Sequence, residues 1–331
     1  MHFAFTEEQQ MIAETAQAVF AEHATSARTR AAMAAGGYDR ALWQSFCTEL
    51  GLGGLIAPEE HGGSALGMVE YAAVAEWAGY HVAALPLLSL AAARALATGG
   101  SAAQQSAWLP RLISGEVTAA LADSELVPHG AEAGLFLTGD GRLVTRAQAD
   151  VTPLTTMDQT RPLARVAIPP GAGEPLANPA AGIAAAREAA LVCLAAEALG
   201  GAQGALNRTV AYAKERIQFG RPIGSFQAYK HRLADMMIAI EEARSAVYWA
   251  AASVDEDASD KPFALHGAKQ LAADAFFKCA GDMIQLHGGI GFTWEHDAHL
   301  FFKRARAIQT LMGDGADHRE AIATLLLGEA A

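Results

Sequence analysis

One stretch of the sequence, from Arg216 to Gly224, combines residue types that bind charged ligands. It supplies a guanidinium at Arg216, a side-chain amide at Gln218 and an aromatic ring at Phe219. An arginine can hold a pyrophosphate with two parallel hydrogen bonds. The stretch could equally end a long helix, with its arginine neutralising the helix dipole. Taken alone, it favours this second, structural interpretation.

A second stretch, residues 284–292, follows another predicted helix and is rich in glycine. Gly288 and Gly289 would let the backbone approach a ligand closely, and the Gln285 amide offers both donors and an acceptor. The alternative is an ordinary glycine cap on a helix. The two stretches together make a ligand-binding role more credible than either does alone.

Other patterns that carry chemistry are missing from the sequence. It contains no P-loop, no GxGxxG after a strand and no HExxH. The histidines are scattered, and the pair His296 and His299 is more typical of surface or core residues than of metal ligands. We therefore expect no metal site.

Composition limits the kinds of partner. The chain has 331 residues, with 24 Lys and Arg against 36 Asp and Glu, giving a net charge of -12. Such a chain repels nucleic acid and anionic lipid. Three widely spaced cysteines and a start without a secretion signal favour the cytoplasm. The most apolar stretch, residues 82–97, is too short for a membrane span.

The elements that must position the two stretches are mostly helices. Thr6 with Gln9 predicts a capping box, a helix should begin near Asp39, and Gly51 suits a left-handed cap. Further helices are predicted at residues 67–79, 82–97, 102–113, 183–215, 225–254, 262–287 and 298–310, with a short one after Asp317. Between them, residues 135–138 and 143–145 flank a Gly-Asp-Gly turn and predict a β-hairpin. The expected fold is mainly α with a small β insert: an N-terminal helical domain (1–114), a reduced β-domain (115–178) and a C-terminal four-helix bundle (179–331).

Four segments together resemble the acyl-CoA dehydrogenase family of flavoproteins. They are residues 5–9 at the start, the glycine-rich loop 52–63, the stretch 212–223, and 285–292 followed by Trp294 and Glu295. Their order and spacing also match the family.

The resemblance implies FAD as the cofactor and oxidation of the Cα–Cβ bond of an acyl-CoA thioester. A carboxylate would remove the α-proton while the β-hydride moves to the flavin, and an electron-transfer flavoprotein would accept the electrons. By the same resemblance, the cofactor-binding residues reach towards the pyrophosphate and adenosine of an FAD held mainly by a neighbouring subunit. They are Arg216, Gln218, Phe219, Gln285, Gly288 and Gly289. A homo- or hetero-oligomer, dimer or tetramer, is therefore expected.

The sequence departs from the family at the catalytic base. Aligned on Arg319, the usual glutamate position falls on Met312 or Gly313, neither of which can accept a proton. Asp314 is displaced from it by one or two residues. The alternative family position, on the first bundle helix, falls near residues 189 and 190, one residue from Glu188. Asp314 and Glu188 are thus weak candidates for the base, and Glu197 lies further along the same helix as Glu188. Each is more typical of a solvated or salt-bridged side chain.

A second departure lies in the β-domain, where residues 122–130 keep little of the family's flavin-binding motif. The pattern resembles the short, base-less subunit of heteromeric acyl-CoA dehydrogenases, which include enzymes of steroid degradation. Two alternatives remain open: a self-sufficient homomeric dehydrogenase with a relocated carboxylate, and a scaffold without redox chemistry. A flavin monooxygenase of the same fold ranks last.

Overall fold

The computed structural model describes residues 4–328, which form two compact units. One unit comprises residues up to Ser26, Ala72–Ala83 and the chain from Leu194 onward. The other comprises Ala27–Tyr71 and Ala84–Cys193. The first is helical apart from one two-stranded hairpin, and the second combines helices with two small sheets.

The helices, numbered in chain order, are α1 Glu7–His23, α2 Ser26–Ala34, α3 Arg40–Glu49, α4 Met68–Tyr80, α5 Ser89–Gly99, α6 Ala102–Ile113, α7 Pro179–Glu215, α8 Gln227–Asp255, α9 Lys261–His287, α10 Ala298–Thr310 and α11 Gly315–Leu327. The strands are β1 Ala119–Ala122, β2 Leu126–Pro128, β3 Leu135–Thr138, β4 Arg142–Thr145, β5 Asp150–Leu154, β6 Leu163–Ala167, β7 Glu174–Pro175, β8 Ile217–Gln218 and β9 Arg221–Pro222.

The predicted helix ends near the N-terminus are confirmed. Thr6 and Gln9 exchange side-chain and backbone hydrogen bonds of 3.2 and 3.0 Å, which completes the capping box. The Asp39 carboxylate accepts the backbone N–H of Leu42 at the start of α3. Gly51 adopts a φ of +67°, so the chain turns sharply after that helix.

Two helix predictions were wrong in their extent. The segment 82–97 is not one helix, because α5 begins only at Ser89. Val82 has a φ of +50°, and Pro86 has no N–H to donate to a helix. The last helix begins at Gly315 and not after Asp317, with Asp314 as its N-cap.

The β region forms a four-stranded sheet in the order β1-β3-β4-β7 and a three-stranded sheet in the order β2-β6-β5. The predicted hairpin is confirmed as β3 and β4, with Phe136 opposite Val144. Both of these residues are fully buried and belong to a small apolar core with Val127, Ala164 and Val166. The region is therefore small but has a core of its own.

Helix α7 is long and apolar enough to cross a bilayer by length and composition. However, 94% of its most apolar window is buried inside the protein. This burial is typical of the core helix of a globular fold.

Candidate functional site

The first predicted stretch forms a hairpin at the end of α7. β8 pairs antiparallel with β9, with Ile217 opposite Pro222. The two residues between the strands, Phe219 and Gly220, both have positive φ, at +54° and +75°. This is the backbone of a tight two-residue hairpin turn, and it is strained for a phenylalanine. The turn presents the Phe219 ring to solvent, 91% exposed.

The second stretch forms an open glycine turn at the end of α9. The helix ends at His287, and Gly288 has a φ of +62°. No atom lies within 4 Å of where a Cβ would stand on Gly288 or Gly289. The backbone of this turn is therefore accessible to a ligand.

The structure brings the two stretches together. The ring of Tyr212, in the last turn of α7, stacks on the ring of His287 with centroids 4.5 Å apart. Tyr229, in α8, donates a hydrogen bond of 3.1 Å to the Leu286 carbonyl. The hairpin and the glycine turn thus start from one end of the helical unit.

The polar groups at this end are available to a ligand. Arg216 and Gln285 are exposed, and within residues 4–328 neither side chain makes a hydrogen bond or an ion pair. The Gln218 amide donates to the neighbouring Ile217 carbonyl at 2.8 Å. A free guanidinium and an open glycine backbone at the same end of the helical unit suit a pyrophosphate, which needs a cation and unshielded N–H donors.

The loop between α10 and α11, where the family's base would stand, is fixed to α9. Met312 and Gly313 both have positive φ, at +61° and +100°. The buried Lys269 ammonium donates to the Ile308 carbonyl at 2.9 Å and to the Gly313 carbonyl at 3.4 Å. Next to it, the Nδ1 atoms of His266 and His318 lie 2.8 Å apart. These contacts tie the loop to α9, and the loop contains Met312 and Gly313, the two residues on which the sequence alignment puts the usual base position.

Asp314 has a structural task in this loop. Its Oδ1 accepts the backbone N–H groups of Ala316 and Asp317 at 2.7 and 3.1 Å and caps α11. These two N–H groups hold the pKa of the Asp314 carboxyl below its usual value. The same bonds that make it a good cap make it a weak proton acceptor.

The other carboxylates lie on α7. Glu188 is half-buried there, beside the fully buried Ala189 and Ala190. Glu197 is paired with Arg304 of α10, Oε1 to Nη1 3.3 Å, and both side chains are 1% exposed. The structure therefore places Glu197 in a buried ion pair, as the salt-bridge interpretation predicts.

In the β-containing unit, residues 123–125 form an exposed bend between β1 and β2. The Ser124 hydroxyl donates to the Leu126 carbonyl at 3.2 Å, which closes the bend on itself. No group of three or more His, Cys, Asp or Glu side chains suited to a metal occurs in the part of the chain that the structure describes.

Sequence reasoning missed two features of the site. One is the set of exposed apolar side chains around the two stretches: Ile217, Phe219, Ile290, Phe292 and Trp294. The other is the pair of buried polar residues, Lys269 and His287, on helix α9. A lysine or histidine inside an otherwise apolar helical pattern was the available signal.

Residues 6–116 match the N-terminal domain of acyl-CoA dehydrogenases, and residues 182–327 match the C-terminal domain. The chain belongs to the acyl-CoA dehydrogenase family of FAD-dependent oxidoreductases. Structures of this fold have been solved with FAD or FADH2 bound.

Several relatives are similar over nearly the whole chain. The acyl-CoA dehydrogenase IpdE2 of Mycobacterium tuberculosis is 40% identical over 92% of this chain and 93% of its own length. A chain of the ChsE4-ChsE5 complex from Mycobacterium tuberculosis is 27% identical, with a TM-score of 0.88 over 100% of both chains. A variant of the Tcur3481-Tcur3483 steroid acyl-CoA dehydrogenase is 29% identical, with a TM-score of 0.87 over 97% of this chain and 98% of that one.

Proposed function

We propose that this chain is the base-less subunit of a heteromeric FAD-dependent acyl-CoA dehydrogenase of the cytoplasm. One observation carries the proposal. The groups that would hold the pyrophosphate, Arg216 and Gln285, are free and exposed, while the sequence alignment puts the usual base position on Met312 or Gly313, neither of which can accept a proton. A longer paralogue would supply the base and most of the flavin pocket.

The relatives support the heteromeric part of this proposal. Two of the similar structures are described as assemblies of two different chains, ChsE4 with ChsE5 and Tcur3481 with Tcur3483. The latter is described as a steroid enzyme, so we propose a steroid-derived acyl-CoA as the substrate class here. The electrons would pass to an electron-transfer flavoprotein.

The residues of this chain would bind the FAD and would not take part in the proton or hydride transfer. Arg216 would hold the pyrophosphate by a charge-assisted pair of hydrogen bonds, and Gly288 and Gly289 would admit the adenosine end close to the backbone. Gln218 and Phe219 would contact the same end of the nucleotide. An FAD held by these residues would supply the hydride acceptor for oxidation of the thioester's Cα–Cβ bond. Removal of the α-proton falls to a carboxylate of the partner, because Asp314 is occupied as a helix cap.

The exposed apolar side chains fit an interface with that paralogue. Phe219 and Phe292 are 91% and 87% exposed, on the two loops that would face the shared cofactor. Large apolar side chains left exposed on both loops are typical of an interaction site. We propose that the partner covers this end of the helical unit.

Replacing Phe292 by aspartate is expected to weaken assembly with the paralogue by at least about tenfold, because a charge would then be buried in an apolar contact. Native mass spectrometry of co-expressed chains measures the assembled fraction. Met11→Asp is the matched control, since Met11 is equally apolar and 62% exposed on α1, away from both loops in sequence. Equal assembly of Phe292→Asp and the wild type would contradict the proposed interface.

The amide variants Asp314→Asn and Glu188→Gln are expected to leave flavin reduction by substrate unchanged in the assembled enzyme. Neither carboxylate takes part in proton removal under the proposal. Stopped-flow bleaching of the flavin absorbance measures the reduction rate, and a change below about threefold is expected.

The self-sufficient enzyme makes the opposite prediction for these two variants. If one of them loses reduction by two or more orders of magnitude while FAD stays bound, this chain supplies its own base. The base-less assignment would then be wrong, and the family assignment would stand.

A further inference from the structure

Three segments of the helical unit meet at one buried histidine. His287 is the last residue of α9, immediately before the glycine turn, and it is 4% exposed. Its ring stacks on Tyr212 with an interplanar angle of 24° and centroids 4.5 Å apart. The ring of His296 lies 4.4 Å from it, tilted by 50°.

The two neighbours of His287 belong to different parts of the site. Tyr212 lies one helical turn before Arg216, and its carbonyl accepts the Arg216 N–H at 2.9 Å. His296 stands just before α10, where its Nδ1 accepts the Ala298 N–H at 3.1 Å. The ring of His287 therefore connects the hairpin, the glycine turn and the start of α10.

His287 is itself held in one orientation. Its Nδ1 lies 2.7 Å from the Met283 carbonyl, so Nδ1–H is the donor and the orientation of the ring is fixed. Gly291 folds back onto it, because a Cβ added there would lie 2.9 Å from the His287 Cβ. Burial and the neighbouring His296 lower the pKa of His287, while the Met283 carbonyl opposes this shift. The ring is neutral at neutral pH and packs as an aromatic plate.

We propose that His287 is a positioning residue, which fixes the Arg216 hairpin and the Gly288–Gly289 turn in one mutual arrangement. The inference rests on the proposed function only where it concerns FAD. The stack transmits a displacement of either loop to the other. The hairpin follows the helical turn that begins at Tyr212, and the glycine turn follows His287 directly. Aromatic stacking of this kind is worth roughly a three- to tenfold factor in an equilibrium.

Hydrogen exchange of the full chain tests the coupling without any cofactor. His287→Ala is expected to speed amide exchange in residues 217–222, a different segment, by about tenfold. His287→Phe keeps the aromatic plate and is expected to restore the wild-type rates. His231→Ala, at an exposed histidine of α8, is the matched control and should change nothing. If His287→Ala leaves residues 217–222 unchanged, or if His287→Phe fails to restore them, the inference is overturned.

A double-mutant cycle on the assembled enzyme tests the consequence for the cofactor. Tyr212→Leu and His287→Leu should each weaken FAD retention, measured as the Kd from flavin fluorescence. The double variant should lose about three- to tenfold less than the product of the two single losses. Fully independent losses would overturn the role of the stack.

The two measurements separate failure of this inference from failure of the proposed function. If FAD does not bind these loops, the Kd for FAD will be the same in all of these variants. The amide exchange of residues 217–222 will still be faster in His287→Ala. If the two loops are independent, the amide exchange of residues 217–222 will be unchanged in His287→Ala, whether or not Arg216 binds FAD.

Discussion

Replacing Arg304 by methionine is expected to destabilise the helical unit by about 3–5 kcal/mol. The guanidinium is the partner of the Glu197 carboxylate at 3.3 Å and also donates to the Ala83 carbonyl at 3.2 Å. Both charged side chains are 1% exposed. Removing the guanidinium takes this counter-charge away from a carboxylate that is itself buried.

Urea unfolding followed by circular dichroism measures this loss. The double variant Arg304→Met with Glu197→Leu is expected to recover most of the stability, since an apolar pair of similar volume has no charge to desolvate. Glu241→Gln is the control, because Glu241 pairs with Arg244 at 3.3 Å but is 54% exposed. That change should cost under about 1 kcal/mol. A loss of stability below about 1 kcal/mol for Arg304→Met as well would contradict the prediction that the buried ion pair stabilises the helical unit.

Replacing Arg216 by alanine is expected to weaken FAD retention by the assembled enzyme about 10- to 100-fold. A hydrogen bond to a charged group contributes roughly 1.5–3 kcal/mol, and Arg216 has no partner among the described residues that would compete with a pyrophosphate. Arg216→Lys should weaken FAD retention less than Arg216→Ala does, because the ammonium keeps the positive charge. Retention should still be weaker than in the wild type, because the ammonium lacks the bidentate geometry of the guanidinium. Equilibrium dialysis of the flavin measures the Kd.

Arg306→Ala is the matched control for this experiment. Arg306 is also an exposed arginine of the helical unit, and it donates to the Gln309 amide oxygen at 3.0 Å. Its removal changes the net charge equally and should leave FAD retention unchanged. If both variants lose FAD to the same extent, the effect is general electrostatics and Arg216 does not hold the cofactor.

Much of the fold could be predicted from local sequence patterns. Caps such as Thr6 with Gln9, and the Gly-Asp-Gly turn between β3 and β4, are set by residues three or four apart, so they are visible in the chain. The helical period of apolar residues similarly located α7 to α10. The positions of Arg216 and Gln285 followed from resemblance, and their free, exposed state is what the structure adds.

The rest depended on contacts between distant segments. The stack of Tyr212 on His287 joins residues that are 75 positions apart in the sequence, so no local pattern predicts it. Glu197 and Arg304 are even further apart, with a separation of 107 residues. Helix α2 was missed because Ser26–Ala34 has almost no apolar period, and α5 was placed too early because Val82 adopts an unexpected left-handed conformation. These features arise from packing, which overrides local preference.

The most direct test of a cofactor shared between two chains is the visible absorption spectrum of this protein, purified alone and purified with a co-expressed longer paralogue. We predict little flavin absorbance near 450 nm for the chain alone. In the complex we predict about one FAD for each pair of different chains, because Arg216 and the glycine turn would bind an FAD held mainly by the partner. A chain that purifies alone with full flavin content, and turns over an acyl-CoA without a partner, would contradict the account.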